Sequence, residues 1–242
     1  MIDFLDAAIK ANKEILDVIK NNTHEFLCED ISLGFGGDVS KRVDIIAEDI
    51  FIKHLEVFGD ILTEERGLVE GDGEFNLIID PIDGSNNFAS NIPYFGTSVA
   101  LKKGNDRVAS VITNLATKEI FYKENKKFQK AKLDNLIFKG VVANRCSSIG
   151  IFERSYCSDF AYDILKSQKI KFRSLGAFAL SLAYAREVDF VIYEGKRRVY
   201  DVEAGLHMCE DLYILEEDDF LLISKDKEIF AKISQLFKKR EN

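Results

Sequence analysis

Long apolar runs, paired cysteines and a surplus of positive charge are all missing from this 242-residue chain, and each absence removes a class of function. No segment approaches the roughly 18 uninterrupted apolar residues of a membrane span. The start, Met1-Ile2-Asp3-Phe4-Leu5-Asp6, carries acidic residues inside its first turns, which argues against a secretory leader. Cys28, Cys146, Cys157 and Cys209 are scattered without a C-x-x-C pair, so neither a zinc framework nor a disulfide scaffold is indicated. A reducing cytoplasm is the simplest home for such a chain. With 33 Lys and Arg against 41 Asp and Glu, the net charge is -8, and the overall field opposes nucleic-acid binding. Lys238-Lys239-Arg240 is a short exception, read as a solvated helix end. There is no Pro/Gly/Ser-rich linker, internal repeat or low-complexity tract, so residues 1–242 are expected to form one domain, with a division near residue 135 as the one candidate boundary.

What is present is helical periodicity at the start and short apolar runs after it. Residues 2–22 place Ile2, Leu5, Ala8, Ile9, Ile15, Leu16 and Ile19 at spacings of three and four, which predicts an amphipathic helix ended by Asn21-Asn22. A second helix is predicted from about Asp44 to Val57, after the turn-forming Gly34-Phe35-Gly36-Gly37-Asp38. From residue 61, apolar runs bounded by turn signals read as buried strands: Ile61-Leu62 before Glu64-Glu65, and Leu77–Ile79 before Asp80-Pro81. Further strands are expected at Thr97–Lys102, Arg107–Asn114, Glu119–Tyr122, Gly140–Asn144 and Val188–Tyr193. Helices are expected at 149–168, 176–186 and 226–239, and a lysine-rich surface turn at Tyr122–Lys132. Helices first, strands in the middle and both later predict a layered α/β mixed protein.

Asp80-Pro81-Ile82-Asp83-Gly84-Ser85 is the most informative segment. Proline fixes one torsion and glycine permits a conformation other residues avoid, so the chain can turn sharply enough to aim two carboxylates at one point. A hard cation such as magnesium, which takes oxygen ligands, would suit that point. Taken alone, the segment is equally an Asp-rich turn bonded to its own backbone. An acidic protein that handles phosphate needs bound cations to let carboxylates and phosphate share a site, and further acids stand at Asp44, Glu64-Glu65 and Asp201.

These residues resemble the inositol monophosphatase family of magnesium-dependent, lithium-sensitive phosphatases, within the wider group that includes fructose-1,6-bisphosphatases and 3'-phosphoadenosine phosphatases. Thr63-Glu64-Glu65 is similar to the family's G-E-E segment, Asp80–Ser85 to D-P-[IL]-D-G-[ST], and Tyr200-Asp201-Val202-Glu203-Ala204-Gly205 to W-D-x-A-A-G. The resemblance implies a layered αβαβα fold, Mg2+ as cofactor, a small phosphorylated metabolite as substrate and a homodimer. It implies that Glu64, Asp80 and the main-chain oxygen of Ile82 hold one magnesium, and Asp80, Asp83 and Asp201 a second. Asp44 and Ser85 would orient or deprotonate the attacking water, and the amides of Gly84 and Ser85 would receive phosphate. Glu194 would bind substrate hydroxyls, with Gly176 and Ala177 lining the pocket. The implied halves are a metal- and phosphate-binding part, 1–135, and a substrate-facing part, 136–242. Arg173, Lys196, Arg197 and Arg198 are candidates for a second phosphate.

The sequence departs from the pattern at Tyr200 in place of tryptophan, Ser85 in place of threonine and Glu203 in place of alanine. Glu203 adds a negative charge two residues from a ligand, and either points away or alters metal affinity. The expected function is hydrolysis of inositol-1-phosphate or a related polyol or sugar phosphate. The alternatives are a 3'-phosphoadenosine 5'-phosphate phosphatase, a fructose-1,6-bisphosphatase, or a non-catalytic binding homologue.

Overall fold

Asp3 starts the first helix by accepting the Leu5 N–H on its side chain at 3.1 Å, the usual work of an N-cap. The computed structural model describes residues 3–158 and 160–238. Helix α1 (Phe4–Asn21) buries Phe4, Ala7, Ala8, Ala11 and Ile15, and α2 (His24–Leu27) follows after a Thr23 cap. Strands β1 (Asp30–Leu33) and β2 (Val39–Lys41) form a hairpin around the glycine loop, and α3 (Arg42–Leu55) packs on α1.

The first sheet holds β3 (Gly59–Thr63), β4 (Gly67–Val69), β5 (Phe75–Asp83), β6 (Gly96–Lys103), β7 (Asp106–Asn114), β8 (Glu119–Glu124), β9 (Lys127–Lys132) and β10 (Lys139–Gly140). Its order is β10-β9-β8-β7-β6-β5-β3-β4, antiparallel except for β3 beside β5, and the short α4 (Ser85–Ala89) follows β5. A second sheet has the order β12-β11-β13-β15-β14. Its strands are β11 (Gly150–Glu153), β12 (Phe172–Arg173), β13 (Val191–Glu194), β14 (Tyr213–Glu217) and β15 (Phe220–Ser224). Helices α5 (Ala161–Ser167), α6 (Phe178–Ala183), α7 (Val199–Cys209) and α8 (Lys227–Lys238) complete the described chain.

Strand alternation makes the layers. On β5, Leu77 and Ile79 face α1 and α3, while Ile78 faces α6 and α7. Helix α7 is buried on both sides: Tyr200, Ala204 and Met208 pack on the first sheet, and Val202, Leu206 and Cys209 on the second. The far face of the second sheet, through Phe152, Ile192, Phe220 and Leu222, packs on α5 and α8. Four cores thus separate five layers, αβαβα, as the resemblance implied.

Several local expectations are corrected. Residues 149–168 are not one helix: Gly150–Glu153 is a strand whose four residues are all buried, and only Ala161–Ser167 is α-helical. Ile151 and Phe152 serve two different cores, which a strand allows and a one-faced helix does not. The lysine-rich stretch is two paired strands, with the turn confined to Asn125 and its neighbours. Of Gly140–Asn144, only Gly140 pairs, beside Lys139. The expected 176–186 helix shrinks to Phe178–Ala183, and the strands at 213–217 and 220–224 had no counterpart in the sequence reading. Of the basic end, Lys239 and Arg240 lie outside the described residues, as do Met1 and Ile2.

Candidate active site

Two aspartates three residues apart in a regular strand point to opposite faces. In β5 they do not, because the register against β6 slips by one residue: Asp80 pairs with Ser98, but Asp83 pairs with Gly96. Pro81 sits inside this bulge, where a missing N–H costs the ladder nothing. The expected sharp turn between the aspartates is therefore a bulge in a continuous strand, and the strand ends only at Gly84, which takes a left-handed φ of 86°. Both carboxylates face the α6–α7 layer, where Asp83 accepts the Leu180 N–H at 2.8 Å, while the Ile82 side chain lies in the opposite core.

Glu64 follows β3 in a turn that a buried carboxylate clamps. Glu48, on α3, accepts the Thr63 hydroxyl at 2.8 Å and the Arg66 N–H at 3.1 Å, and pairs with the Arg66 guanidinium at 2.9 Å. Ser40 bonds to Glu65. Asp201 arrives from the first turn of α7. One carboxylate oxygen each from Glu64, Asp80 and Asp201 lie within 4.8 Å of one another, a set that fits a divalent cation with oxygen ligands. Asp80 Oδ1 and the hydroxyl of its cross-strand neighbour Ser98 are buried with no partner among the described residues. A carboxylate oxygen so placed calls for a cation or a proton.

Crowding and burial oppose ionisation across the cluster. Burial pushes Glu64 up to about 8, with Arg198 opposing and Asp201 adding to the rise. Asp83 is likewise pushed to about 8, first by burial and then by Asp201 and Glu153, against the Leu180 amide. Asp80 is raised well above the usual range by burial and by Glu64, Asp83 and Asp201. Asp83 neighbours the triad but does not belong to it.

Asp44 stands at the third position of α3, where its Oδ2 accepts the Lys41 N–H at 2.6 Å and its Oδ1 is buried without a partner among the described residues. Burial raises it to about 7. Ser85 opens α4 behind Gly84, where early helical N–H groups have no intrahelical acceptor. A Cβ on Gly84 would lie 3.0 Å from the Ala177 Cβ and 3.1 Å from the Gly176 oxygen, so the structure brings these three expected residues together.

Glu153 was missed. It ends β11 almost wholly buried, accepts the Gly176 N–H at 2.8 Å, bonds to the Ser181 hydroxyl, and neighbours Asp83 electrostatically. Its signal is the one that marked Glu64 and Asp80, an acid at the end of an apolar strand, hidden because 149–168 read as a helix. Glu194 is engaged at the start of α5: its Oε2 accepts the Ser158 hydroxyl at 2.6 Å and the Ala161 N–H at 3.1 Å, and its Oε1 the Phe160 N–H at 3.2 Å.

Glu203 points away from the cluster. Two residues on a helix are about 200° apart, and Glu203 meets Lys102 at 2.8 Å and Arg107 at 3.1 Å on the first sheet. Burial would raise its carboxyl, but bonds from Arg107 and Lys102 hold it below the usual range. Of the cations expected to meet a second phosphate, Arg197 bonds the Glu217 carbonyl at 2.6 Å and Arg173 the Phe172 carbonyl at 2.8 Å. Arg198 instead joins the cluster, 2.9 Å from Glu64 and 2.9 Å from Asp201.

The sequence matches the inositol monophosphatase family over residues 2–212. It is 30% identical over 193 residues to a fructose-1,6-bisphosphatase of Pyrococcus furiosus, covering 78% of this chain and 73% of that one. It is 32% identical over 194 residues to an inositol-1-monophosphatase of Mesorhizobium japonicum, covering 75% and 72%. The fold superposes on an IMPase of Thermotoga maritima with a TM-score of 0.77 at 21% identity, over 98% of this chain and 99% of that one. A bulged strand that turns two aspartates to one side, a glutamate turn and an aspartate-bearing helix meet here on that shared fold, and the chain belongs to the inositol monophosphatase family and is a phosphoric monoester hydrolase.

Proposed function

We propose that this protein is a magnesium-dependent phosphomonoesterase acting on inositol-1-phosphate or a related polyol or sugar phosphate. The observation that carries the reading is the triad of Glu64, Asp80 and Asp201 oxygens within 4.8 Å, with Asp80 Oδ1 buried and without a partner among the described residues. Glu64, Asp80 and the Ile82 main-chain oxygen would hold one ion, and Asp80, Asp83 and Asp201 another. Bound there, magnesium supplies a water acidic enough to attack near neutral pH and positive charge for the phosphate.

The chain's own groups do the rest. Asp44 presents an Oδ1 that has no partner among the described residues and takes the proton of the attacking water, its Oδ2 fixed by the Lys41 amide. The Ser85 hydroxyl orients that water. The Gly84 and Ser85 amides receive phosphate oxygens, and the Gly176–Ala177 turn packed against Gly84 bounds the alcohol side. Glu194 would accept a substrate hydroxyl. Residues 1–242 act as one domain, with the metal and phosphate groups mostly in the first half and the alcohol-facing groups in the second. No described helix is long and apolar enough to cross a membrane. The reading is of a cytoplasmic homodimer that works on a small metabolite, without nucleic acid or membrane.

The test is phosphate release from polyol, sugar and nucleotide phosphates with magnesium and with chelator. Magnesium-dependent turnover of inositol-1-phosphate is expected, together with inhibition by millimolar lithium; turnover that persists in chelator refutes the metal reading. A second substrate reading, fructose-1,6-bisphosphate, is favoured by the name of the Pyrococcus furiosus relative. Hydrolysis of that bisphosphate, with inositol-1-phosphate untouched, would select it. Efficient hydrolysis of 3'-phosphoadenosine 5'-phosphate alone would select a nucleotide substrate.

A further inference from the structure

Arg198 is the one cation that touches two members of the carboxylate triad among the described ion pairs. Its Nη1 lies 2.9 Å from Glu64 Oε1, and its Nε and Nη2 lie 2.9 Å and 3.2 Å from the two oxygens of Asp201. The same Nη1 lies 2.7 Å from Asp38 Oδ2, at the end of the glycine loop. The guanidinium also sits over the Tyr200 ring, 5.2 Å from its centre. The Arg198 side chain is 35% exposed and that of Asp38 is 78% exposed, whereas the Glu64 and Asp201 side chains are 13% and 11% exposed, so Arg198 and Asp38 have a route to solvent that the two triad carboxylates lack.

The loop is tied to the same place by its backbone. Phe35 and Gly36 donate their N–H groups to the Glu65 and Glu64 carbonyls at 2.9 Å and 2.8 Å, and a Cβ at Gly36 would collide with the Tyr200 hydroxyl. Arg198 therefore closes a ring that runs from the loop through Asp38, across Glu64 and Asp201, and back along the Glu64–Glu65 backbone.

We propose that Arg198 is a tethered counter-cation that neutralises Glu64 and Asp201 until a divalent ion displaces it, and that its departure frees the 34–38 loop by breaking the Asp38 pair. This rests on the reading of the triad as a cation site. A guanidinium supplies one charge and donates to oxygens that an ion needs as ligands, so the two compete for the same lone pairs. The anchor at Asp38 makes that competition a coupling: whatever pulls Arg198 off the triad weakens the loop's hold, and whatever pins the loop strengthens Arg198 against the ion.

The test uses the full chain without substrate. Magnesium affinity is measured by titration calorimetry for the wild type, Arg198→Gln and Arg198→Lys across a series of pH values, so that proton competition at the carboxylates is separated from the loss of the guanidinium. Arg198→Gln is expected to bind magnesium about tenfold tighter, the scale of one charge-assisted contact no longer broken. Its metal-free melting temperature is expected to fall, and Arg198→Lys to lie between the two. Hydrogen exchange at Phe35 and Gly36 is expected to quicken when magnesium is added to the wild type, and to be quick already in Arg198→Gln. Equal or weaker magnesium binding in both variants overturns the counter-cation role alone, and exchange at the two amides that ignores both magnesium and Arg198→Gln overturns the loop coupling. A wild type that binds no divalent ion overturns the cation site and this inference with it.

Discussion

The metal-free protein should lose stability as pH rises from 6 to 8, and magnesium should give it back. Glu64 and Asp83 are pushed up to about 8 and Asp44 to about 7, all by burial first, from ordinary carboxylate values near 4. Raised folded-state values mean that the folded chain holds protons which the unfolded chain has already released. Such stability is complete below the unfolded value and is lost as pH climbs through the folded one. Each carboxylate protonated only in the folded state costs about 1.4 kcal/mol per pH unit over that window. From pH 6 to 8 that removes about 2 kcal/mol for a group at about 8 and about 1 kcal/mol for Asp44, each kcal/mol equivalent to roughly 2–4 °C in melting temperature for a chain of this size. The assay is thermal unfolding by circular dichroism in chelator and in millimolar magnesium at pH 6, 7 and 8. Melting in chelator should fall across the series, and magnesium should flatten the fall, because an ion that holds the carboxylates ionised binds the folded state more tightly where protons no longer compete. Asp83→Asn removes one of the groups and should make the slope in chelator shallower. A melting temperature in chelator that stays level or rises from pH 6 to 8 would refute the picture of a crowded, desolvated cluster.

Asp83→Asn should also lower magnesium-dependent turnover by about a hundredfold while the chain stays folded, since an amide oxygen can still accept the Leu180 N–H; a steady-state assay beside a melting curve checks both. Glu203→Gln should leave the magnesium dependence of turnover unchanged and cost about 1–3 kcal/mol of stability, because Lys102 and Arg107 lose their shared carboxylate. A shifted magnesium midpoint there would show that Glu203 acts on the metal site after all. Gly84→Ala should cost about 1–2 kcal/mol, from a left-handed φ of 86° and a Cβ 3.0 Å from Ala177, and it should raise KM, since the amides behind the turn move. Denaturant unfolding measures the first effect and substrate titration the second.

Glu64 and Asp80 of the acidic cluster were legible because each stands at the end of a short apolar run, where a buried strand hands its chain onward, whereas Asp83 and Asp201 were named through the match to the family's segments. Asp80, Asp83, Glu64 and Asp201 could all be named without coordinates, and the matches to the family's segments supplied their order. Glu153 obeys the same rule and escaped it. A four-residue strand followed by the Arg154 kink, at φ 52°, carries too few residues for a period of two to stand out from a helix. The lysine-rich strands β8 and β9 were hidden in a different way: charge suggested a surface turn, yet ladder pairing is a property of the backbone, and Lys130 finds Glu187 at 3.0 Å from a distant part of the chain.

What the sequence determined by itself was which residue types stand at the ends of which apolar runs, and hence the family, the layered α/β class and the acidic chemistry. Spacing and composition are local, and local signals carry that much. Which carboxylates share a face was decided only by tertiary structure. Asp80 and Asp83 fall on one side because β5 slips a residue against β6, and Glu203 leaves the site because β6 and β7 offer it two cations. Arg198 enters the cluster because α7 starts where Asp38, Glu64 and Asp201 meet. Each outcome depends on a partner far away in sequence, whose position exists only once the layers have packed.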